Sequence, residues 1–319
     1  MSKPLLFITG FLGAGKTTLL RALLDEYKRL DLTADVILND FENAEIDAST
    51  LPESEAAVFP LAASCACCES LDELKGLCSA AQTGRGDALF IELNGTADPL
   101  PLLEAFTVME KEMPFSPRWQ VAVVDARHWR KRKEFDALET RQVETATHWI
   151  LTHREGLTDE EIDLIVQSVE KTNHYATRID ASRLAGELKA AAMQPLRAKE
   201  DSSWKPGASG GEHVHVHDHA HALSHRFTGC QIPLPGRYRS SQMVRFLESL
   251  PGEVLRAKAL VKLSEAPGYR WIFERTGQHP VGEPTRGDIF SKASPSLVCI
   301  GPALDPTMLR EMVREHFGI

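Results

Sequence analysis

The stretch "ITGFLGAGKTTLL" near the start of the chain constrains the fold more than any other segment. Gly10, four further residues, and then Gly15, Lys16 and Thr17 match the pattern G-x-x-x-x-G-K-[ST]. The match lies directly after an apolar run and before a helical pattern, which is the context typical of a phosphate-binding loop (P-loop). We therefore predict a nucleoside triphosphate site. The motif alone leaves ATP and GTP both open.

Each residue type in this loop suits contact with phosphate. Glycines allow backbone N–H groups to turn toward phosphate oxygens, Lys16 can reach the outer phosphates, and the Thr17 hydroxyl can ligate Mg²⁺. The residues predicted to bind the nucleotide here are Gly10, Gly13, Ala14, Gly15, Lys16, Thr17 and Thr18. The competing interpretation is a glycine-rich turn that carries an exposed lysine.

A second acidic element follows in "DALFIELNGTADP", where an apolar run ends at Glu92. Such a carboxylate can hold the Mg²⁺ coordination sphere through water or orient the attacking water. Gly95 is positioned to offer an amide to the γ-phosphate, so that its loop would respond when that phosphate is lost. We predict Lys16, Thr17 and Glu92 as the catalytic set. The alternative for Glu92 is a solvated turn residue or a helix cap.

Apolar runs alternate with helical patterns over the first half of the chain. The runs "LLFIT", "DVILN", "AVFPLA", "DALFIEL", "QVAVVDA" and "HWILT" are separated by helical stretches. This alternation predicts an α/β fold with a mostly parallel sheet covered on both sides. We place a P-loop NTPase domain at residues 1–198, a Gly/Ser- and His-rich linker at residues 199–222 and a smaller α+β domain at residues 223–319.

Composition excludes several classes of protein. The 319 residues carry a formal net charge of −9 and no apolar run long enough to cross a bilayer, so we expect neither a nucleic-acid partner nor a membrane span. The first strand begins so early that we expect no signal peptide, and hence a cytoplasmic location. In that compartment clustered cysteines favour metal binding or catalysis over disulfides. A homo-oligomer stays open.

The segment "FPLAASCACCESLDE" concentrates Cys65, Cys67 and Cys68 at the end of a predicted strand. Thiolates in one short loop are a soft donor set that suits Zn²⁺ or Cu(I). A Cys67–Cys68 disulfide would be strained, because adjacent Cα atoms are only about 3.8 Å apart. A bridge from Cys65 to either neighbour stays open, as does simple packing of three small side chains.

A tetrahedral Zn²⁺ site at these thiols would need a ligand from another segment. Asp40 follows the run "VILN", and His128 follows the run "QVAVVDA". The carboxyl ends of parallel strands share one edge of the sheet, so both residues are candidates for the same crevice as the nucleotide. His128 alone is as well explained by an ordinary structural histidine.

Histidines alternate with other residues in "GEHVHVHDHAHALSH". Neutral imidazoles at this spacing bind divalent metals without selecting one of them, which suits loading or buffering of a metal. The candidate ligands are His213, His215, His217, His219 and His221. A solvated polar linker is the alternative.

Taken together, the P-loop, "SCACCES" and "IELNGTADP" make the chain resemble the CobW family of P-loop GTPases. "NDFENAEID", "VVDARH" and "LRAKAL" resemble further segments of that family, so the resemblance spans most of the chain. It implies GTP hydrolysis with Mg²⁺, coupled to delivery of Zn²⁺ or Co²⁺ to a client metalloprotein. It also implies that Cys65, Cys67 and Cys68 form the metal motif, with Asp40 where the family commonly has Glu.

The family's base-reading motif N-K-x-D falls on Thr152, His153, Arg154 and Glu155 in this chain. The resemblance implies that Glu155 accepts hydrogen bonds from guanine, with a backbone set back by about one methylene to fit the longer side chain. This difference motivates a second hypothesis, a metal-buffering or sensing protein with a degenerate nucleotide site. A small-molecule kinase is a third hypothesis, and it leaves the cysteines and the histidine run unexplained.

Overall fold

The computed structural model describes residues 3–38, 58–60, 71–110, 112–193, 229–277, 279–287, 294–302 and 304–318. Within these residues the first sheet has seven strands, and every neighbouring pair is parallel. The strands are β1 (Leu5–Thr9), β2 (Ala34–Leu38), β3 (Val58–Pro60), β4 (Ala88–Glu92), β5 (Arg118–Asp125), β6 (His148–Thr152) and β7 (Thr177–Arg178). Their order in the sheet is β3-β2-β4-β1-β5-β6-β7, with β1 at the centre.

Helices connect these strands and cover both faces of the sheet. They are α1 (Lys16–Arg29), α2 (Leu71–Thr83), α3 (Pro99–Val108), α4 (Asp136–Glu144), α5 (Asp159–Thr172) and α6 (Ala181–Met193). Leu6 and Ile8 of β1 pack with α1 and α6, whereas Leu5 and Phe7 pack with α2 and α3. Because successive side chains of a strand point to opposite faces, a strand this apolar must be covered twice.

The predicted mostly parallel, doubly covered sheet is therefore confirmed, and each of the six apolar runs overlaps an observed strand. The structure adds β7, whose two residues are too few to show a hydrophobic period. No helix in the described ranges is long and apolar enough to cross a membrane. The predicted linker, residues 199–222, lies outside the described residues.

In the described part of the second unit there is one six-stranded sheet with two helices, which confirms the predicted α+β domain. Its elements are β8 (Gly229–Pro233), β9 (Arg237–Tyr238), α7 (Ser240–Ser249), β10 (Arg256–Leu263), β11 (Arg270–Thr276), β12 (Thr285–Arg286), β13 (Ser296–Ile300) and α8 (Pro306–Phe317). Strands run in the order β12-β11-β10-β13-β8, while β9 pairs with β10. One face buries Phe246, Leu247 and Leu309 of the two helices in a common core.

Helix α3 lies between the two sheets and is apolar nearly all the way around. Leu102, Leu103 and Phe106 are buried, and Val298 and Ile300 of β13 belong to the same hydrophobic cluster. A helix that is hydrophobic on every side is typical of one buried on every side. The two domains consequently share part of one core.

Candidate functional site

The loop between β1 and α1 adopts a conformation that requires glycine. Gly10, Gly13 and Gly15 have φ angles of 143°, 73° and 98°, in a region that side chains with a Cβ rarely adopt. At Gly10 a Cβ would also lie 2.5 Å from the carbonyl oxygen of Val123 in β5. The loop therefore turns away from the sheet as a phosphate-binding loop must.

Lys16 and the start of α1 form the positive part of this loop. The Lys16 side chain is only 7% exposed, and its Nζ donates to the carbonyl oxygen of Phe11 at 3.4 Å. Helix α1 begins at Lys16 without a side-chain cap and with no acidic residue in its first turn. The N–H groups of that turn and the helix dipole thus favour an anion at this end.

Thr17 and Glu92 are brought together at the end of the central strands. The Thr17 hydroxyl donates to Oε1 of Glu92 at 2.8 Å. Glu92 ends β4, which lies between β1 and β2, and its side chain is buried, with 3% exposed. Two oxygen ligands of the kind that Mg²⁺ prefers therefore lie side by side below the loop.

Gly95 brings the loop after β4 against the phosphate-binding loop. A Cβ at Gly95 would lie 2.5 Å from the backbone nitrogen of Leu12. The amide of Gln142 in α4 donates to the carbonyl oxygens of Gly95 and Ala97, each at 3.2 Å. The two loops are in direct backbone contact, and a buried side chain holds one of them in place.

Sequence reasoning missed Gln142 and its partner Gln120. Gln120 is completely buried in β5, and its amide donates to the hydroxyls of Thr9 and Thr145 and to the backbone carbonyl of Gln142 at 2.9 to 3.0 Å. For Gln120 the sequence offered one signal, a polar residue at the start of the apolar run "QVAVVDA". A buried amide requires hydrogen-bond partners, and these come from segments distant in sequence.

At the end of β5, Asp125 organises a short basic loop. His128 Nδ1 lies 2.8 Å from Oδ2 of Asp125, and Arg127 contacts Oδ1. Burial acts to raise the pKa of Asp125, but the hydrogen bonds from His128 and Arg127 outweigh it and hold that pKa below its ordinary value. The His128 ring is 52% exposed and its orientation is fixed by the carboxylate.

Arg132 connects the same basic loop to the phosphate-binding loop. Its guanidinium stacks over the ring of Phe11, 4.5 Å from the ring centroid. Its Nε donates to Oε1 of Glu139 at 3.2 Å. A stacked and ion-paired arginine thus supports Phe11, the second residue of the loop.

The end of β6 contacts the phosphate-binding loop from the other side. The Thr152 hydroxyl donates to the carbonyl oxygen of Ala14 at 2.8 Å. His153 Nε2 donates to that of Gly13 at 3.0 Å, with a His153 φ of 51°. Glu155 follows on the exposed surface. The segment that matches N-K-x-D in position therefore contacts the loop through two side chains.

The predicted metal ligands other than His128 lie outside the described residues. These are Asp40, Cys65, Cys67, Cys68, His213, His215, His217, His219 and His221. Strand β2 ends at Leu38 and β3 at Pro60, and the two are parallel neighbours beside β4, which ends at Glu92. In the part of the chain that is described, no three histidine, cysteine or acidic side chains are grouped as a metal site.

Family comparison agrees with this architecture. Residues 4–180 match the model described as CobW/HypB/UreG, nucleotide-binding domain. Residues 227–316 match the Cobalamin synthesis protein cobW C-terminal domain. The chain therefore belongs to the CobW/HypB/UreG family of nucleotide-binding proteins, and the resemblance noted from its motifs is confirmed.

Individual relatives carry names that refer to zinc. The chain is 36% identical over 134 residues to the zinc chaperone CobW of Pseudomonas aeruginosa, covering 39% of this chain and 35% of that protein. It is 34% identical over 118 residues to the zinc-regulated GTPase metalloprotein activator 1 of Dictyostelium discoideum, covering 33% of this chain and 24% of that protein. It is 30% identical over 181 residues to the zinc chaperone YjiA of Escherichia coli, covering 54% of each.

These matches span between 24% and 54% of the length of those relatives. Among solved structures, the Zn(II)-bound YjiA GTPase from E. coli aligns over 99% of both chains, with 20% identity and a TM-score of 0.44.

Proposed function

We propose that this chain hydrolyses GTP and couples hydrolysis to binding zinc and transferring it to a client metalloprotein. The observation that carries the proposal is the contact between the Thr17 hydroxyl and the buried Glu92 carboxylate, 2.8 Å apart. This contact lies beneath a phosphate-binding loop, at the sheet edge toward which β2 and β3 also run. The names of the relatives support zinc as the cargo.

The nucleotide half of the proposal assigns roles to the loop residues. The backbone amides of residues 10–15 and the first turn of α1, including Thr18, hold the phosphates, and Lys16 neutralises the outer ones. Thr17 and Glu92 would hold Mg²⁺, which when bound offsets the charge that develops on the transferred phosphoryl group. Glu92 also orients the attacking water, and Gly95 offers its amide to the γ-phosphate.

Recognition of the base is assigned to the segment after β6. Glu155 is exposed, so its carboxylate is free to accept hydrogen bonds from the N–H groups of guanine. Thr152 and His153 hold the carbonyls of Ala14 and Gly13 and thereby fix the distance between base and phosphate subsites.

The metal half of the proposal rests on the chemistry of its donors. Cys65, Cys67 and Cys68 are thiolates suited to Zn²⁺, with Asp40 or His128 as a further ligand. The alternating histidines, residues 213 to 221, load or buffer the cargo. We extend the proposal to Co²⁺ as an alternative cargo and to a cytoplasmic location.

Coupling between the two sites gives a direct test. If nucleotide and zinc bind to coupled sites, each changes the affinity for the other by the same factor. We expect a non-hydrolysable GTP analogue to change the Kd for Zn²⁺ by about 5- to 150-fold, the usual range for such coupling. Isothermal titration of the wild type with Zn²⁺, with and without the analogue, measures the effect.

Four variants make the test specific. Cys67→Ser should weaken zinc binding, and Lys16→Ala should abolish the effect of the nucleotide while zinc still binds. Thr17→Ser should turn over GTP at a rate close to wild type, whereas Thr17→Ala should be about 10- to 100-fold slower, because it loses a hydroxyl paired with a carboxylate. A Kd for Zn²⁺ that is the same with and without the analogue would refute the coupling.

A metal-buffering or sensing protein is the second candidate function. The observation that favours it is the sequence Thr152, His153, Arg154 and Glu155 where the family motif has N-K-x-D. Tight zinc binding without zinc-dependent turnover of either GTP or ATP would support this candidate. Turnover that Lys16→Ala abolishes would exclude it.

A further inference from the structure

A pair of cysteines in the C-terminal domain has no part in the function proposed above. Cys230 of β8 and Cys299 of β13 are partners in an antiparallel ladder. Both belong to the core formed with α7 and α8, where Cys230 is 7% exposed and Cys299 is fully buried. They are free thiols in this structure, as is Cys78 of α2.

The ladder fixes the spacing between the two cysteines. Leu234 N donates to the carbonyl oxygen of Pro295 at 3.0 Å, so Leu234 and Pro295 form a hydrogen-bonded pair of the ladder. In the register of β8 and β13, the cysteine pair is four positions away from this pair. Hydrogen-bonded positions recur at every second residue of an antiparallel ladder, with Cα atoms about 5.5 Å apart. Cys230 and Cys299 thus occupy a hydrogen-bonded position, where the Cα separation is within the disulfide range. The Cβ atoms at such a position are farther apart than in a non-hydrogen-bonded pair, so closing the bridge requires the two strands to move closer together.

The two thiols have different chemical character. A hydrogen bond from Cys299 lowers the pKa of Cys230 despite its burial, and the nearby Arg310 guanidinium of α8 acts in the same direction. Donating that hydrogen bond, together with burial, raises the pKa of Cys299. A thiol with a lowered pKa beside a second thiol that can resolve a sulfenic acid is one feature of redox-reactive cysteine pairs.

Arg275 contributes a second positive charge on the buried side of the pair. It is 2% exposed, and its guanidinium donates to the backbone carbonyls of Leu250, Pro251 and Val254. Its charge acts on Cys299 in the direction that favours the thiolate. Arg275 and Arg310 together make the surroundings of the pair electropositive, although the side chains around it are mostly apolar.

We propose that Cys230 and Cys299 form a reversible disulfide when the protein meets a peroxide. The Cys230 thiolate attacks hydrogen peroxide, a Cys–O bond forms as the O–O bond breaks, and hydroxide leaves to give a sulfenic acid. Cys299 then attacks the Cys230 sulfur, and the S–O bond breaks to release water. In total two thiols and one peroxide give one disulfide and two waters, and a dithiol reductant restores the thiols.

The disulfide would change the stability of one particular strand. Among the described strands, β8 is at the edge of its sheet and pairs with β13. Edge strands held by one ladder open more easily than central strands. The cross-link joins β8 covalently to β13, whose opposite face packs on α3. Oxidation therefore stabilises the strand that leads into the C-terminal domain.

Non-reducing peptide mapping of the full-length wild type tests the proposal. After treatment with hydrogen peroxide and alkylation of remaining thiols, we expect the Cys230 and Cys299 peptides to appear joined, and dithiothreitol to separate them. Cys78 is the internal control, because among the described cysteines it is buried apart from the pair and burial raises its pKa to about 12. It should stay reduced.

Variants separate the roles of the two thiols. Cys299→Ser should leave Cys230 as a sulfenic acid that dimedone traps, whereas Cys230→Ser should leave Cys299 unmodified. Circular dichroism checks that each variant is folded, and the wild-type map decides the question if either is not. The proposal would be overturned if Cys230 and Cys299 stayed as reduced as Cys78. It would also be overturned if Cys230 formed disulfides only with Cys65, Cys67 or Cys68.

Discussion

Single residues in the phosphate-binding loop are fixed by steric contacts more than by charge. Gly10 faces the Val123 carbonyl at the point where β1 ends, and its φ of 143° suits glycine. The sequence motif predicts glycine at this position through its function, while the structure gives a separate packing reason. Both reasons apply at the same residue, so a substitution should lower stability as well as nucleotide binding.

We expect Gly10→Ala to lower the free energy of unfolding by about 1–3 kcal/mol, because it combines backbone strain with a Cβ 2.5 Å from an oxygen. Gly76→Ala is the matched control, since Gly76 lies in α2 and a Cβ added there would meet nothing within 4 Å. It should be neutral or stabilise by up to about 1 kcal/mol. Urea unfolding of both variants measures the difference, and equal effects would contradict the packing reason.

Because of Asp125, we expect the free energy of unfolding to depend on pH in the acidic range. Its pKa is depressed in the folded protein, so its contribution is fully present above about pH 4 and is lost as the pH falls through the lower folded value. Asp125→Asn should therefore flatten the fall in the free energy of unfolding as the pH is lowered below about pH 4. Urea unfolding across that range measures the slope. An unchanged slope would show that the hydrogen bonds from His128 and Arg127 do not stabilise the carboxylate.

Strands and helices can be predicted from the sequence where their burial requires a regular pattern of apolar residues. The strand run "HWILT" coincides with β6, and "LLFIT" with β1, because both are enclosed on two faces. The sequence does not predict β7, since a two-residue strand is defined by its neighbour β6 and not by its own residues. Hydrogen bonds between elements also cannot be predicted from the local sequence. The residues around Gln142 of α4 do not indicate that its side chain donates to the loop after β4.

The contact from α4 to that loop can be removed with one substitution. We expect Gln142→Leu to lower the free energy of unfolding by about 1–3 kcal/mol, because the buried carbonyls of Gly95 and Ala97 lose their donor. Gln167→Leu on the exposed face of α5 is the matched control and should change it by less than about 0.5 kcal/mol. Thermal unfolding compares the two. Amide exchange should also quicken around Gly95 in the Gln142 variant alone.

Across the whole molecule, the candidate nucleotide site and the C-terminal domain are connected through α3. This helix begins just after the loop that follows Glu92 and contains Gly95, and its Glu104 pairs with Arg256 at 3.1 Å and Lys258 at 3.2 Å. The motifs predict two domains, but their shared core depends on side chains that meet only in three dimensions. The sequence consequently indicates the parts of the site better than the connection between them.

Removing the Glu104 side chain should weaken the connection between the domains. Glu104 is 15% exposed, so Glu104→Ala leaves Arg256 and Lys258 without their interdomain carboxylate. We expect calorimetry to show one unfolding transition for the wild type and two for Glu104→Ala. Glu112→Ala is the control, because Glu112 is 61% exposed and pairs with Lys75 inside the first domain. A single transition in both variants would mean that the apolar contacts of α3 are sufficient.

The enclosed position of α3 also limits how this chain can be divided or recombined. A fragment that lacks β13 would expose the apolar side of α3 that Val298 and Ile300 cover, and such a surface promotes aggregation. A C-terminal domain taken from another protein would have to complement that same side. Exchanging the two halves as independent modules would therefore leave that apolar side poorly covered and lower the solubility of the hybrid protein.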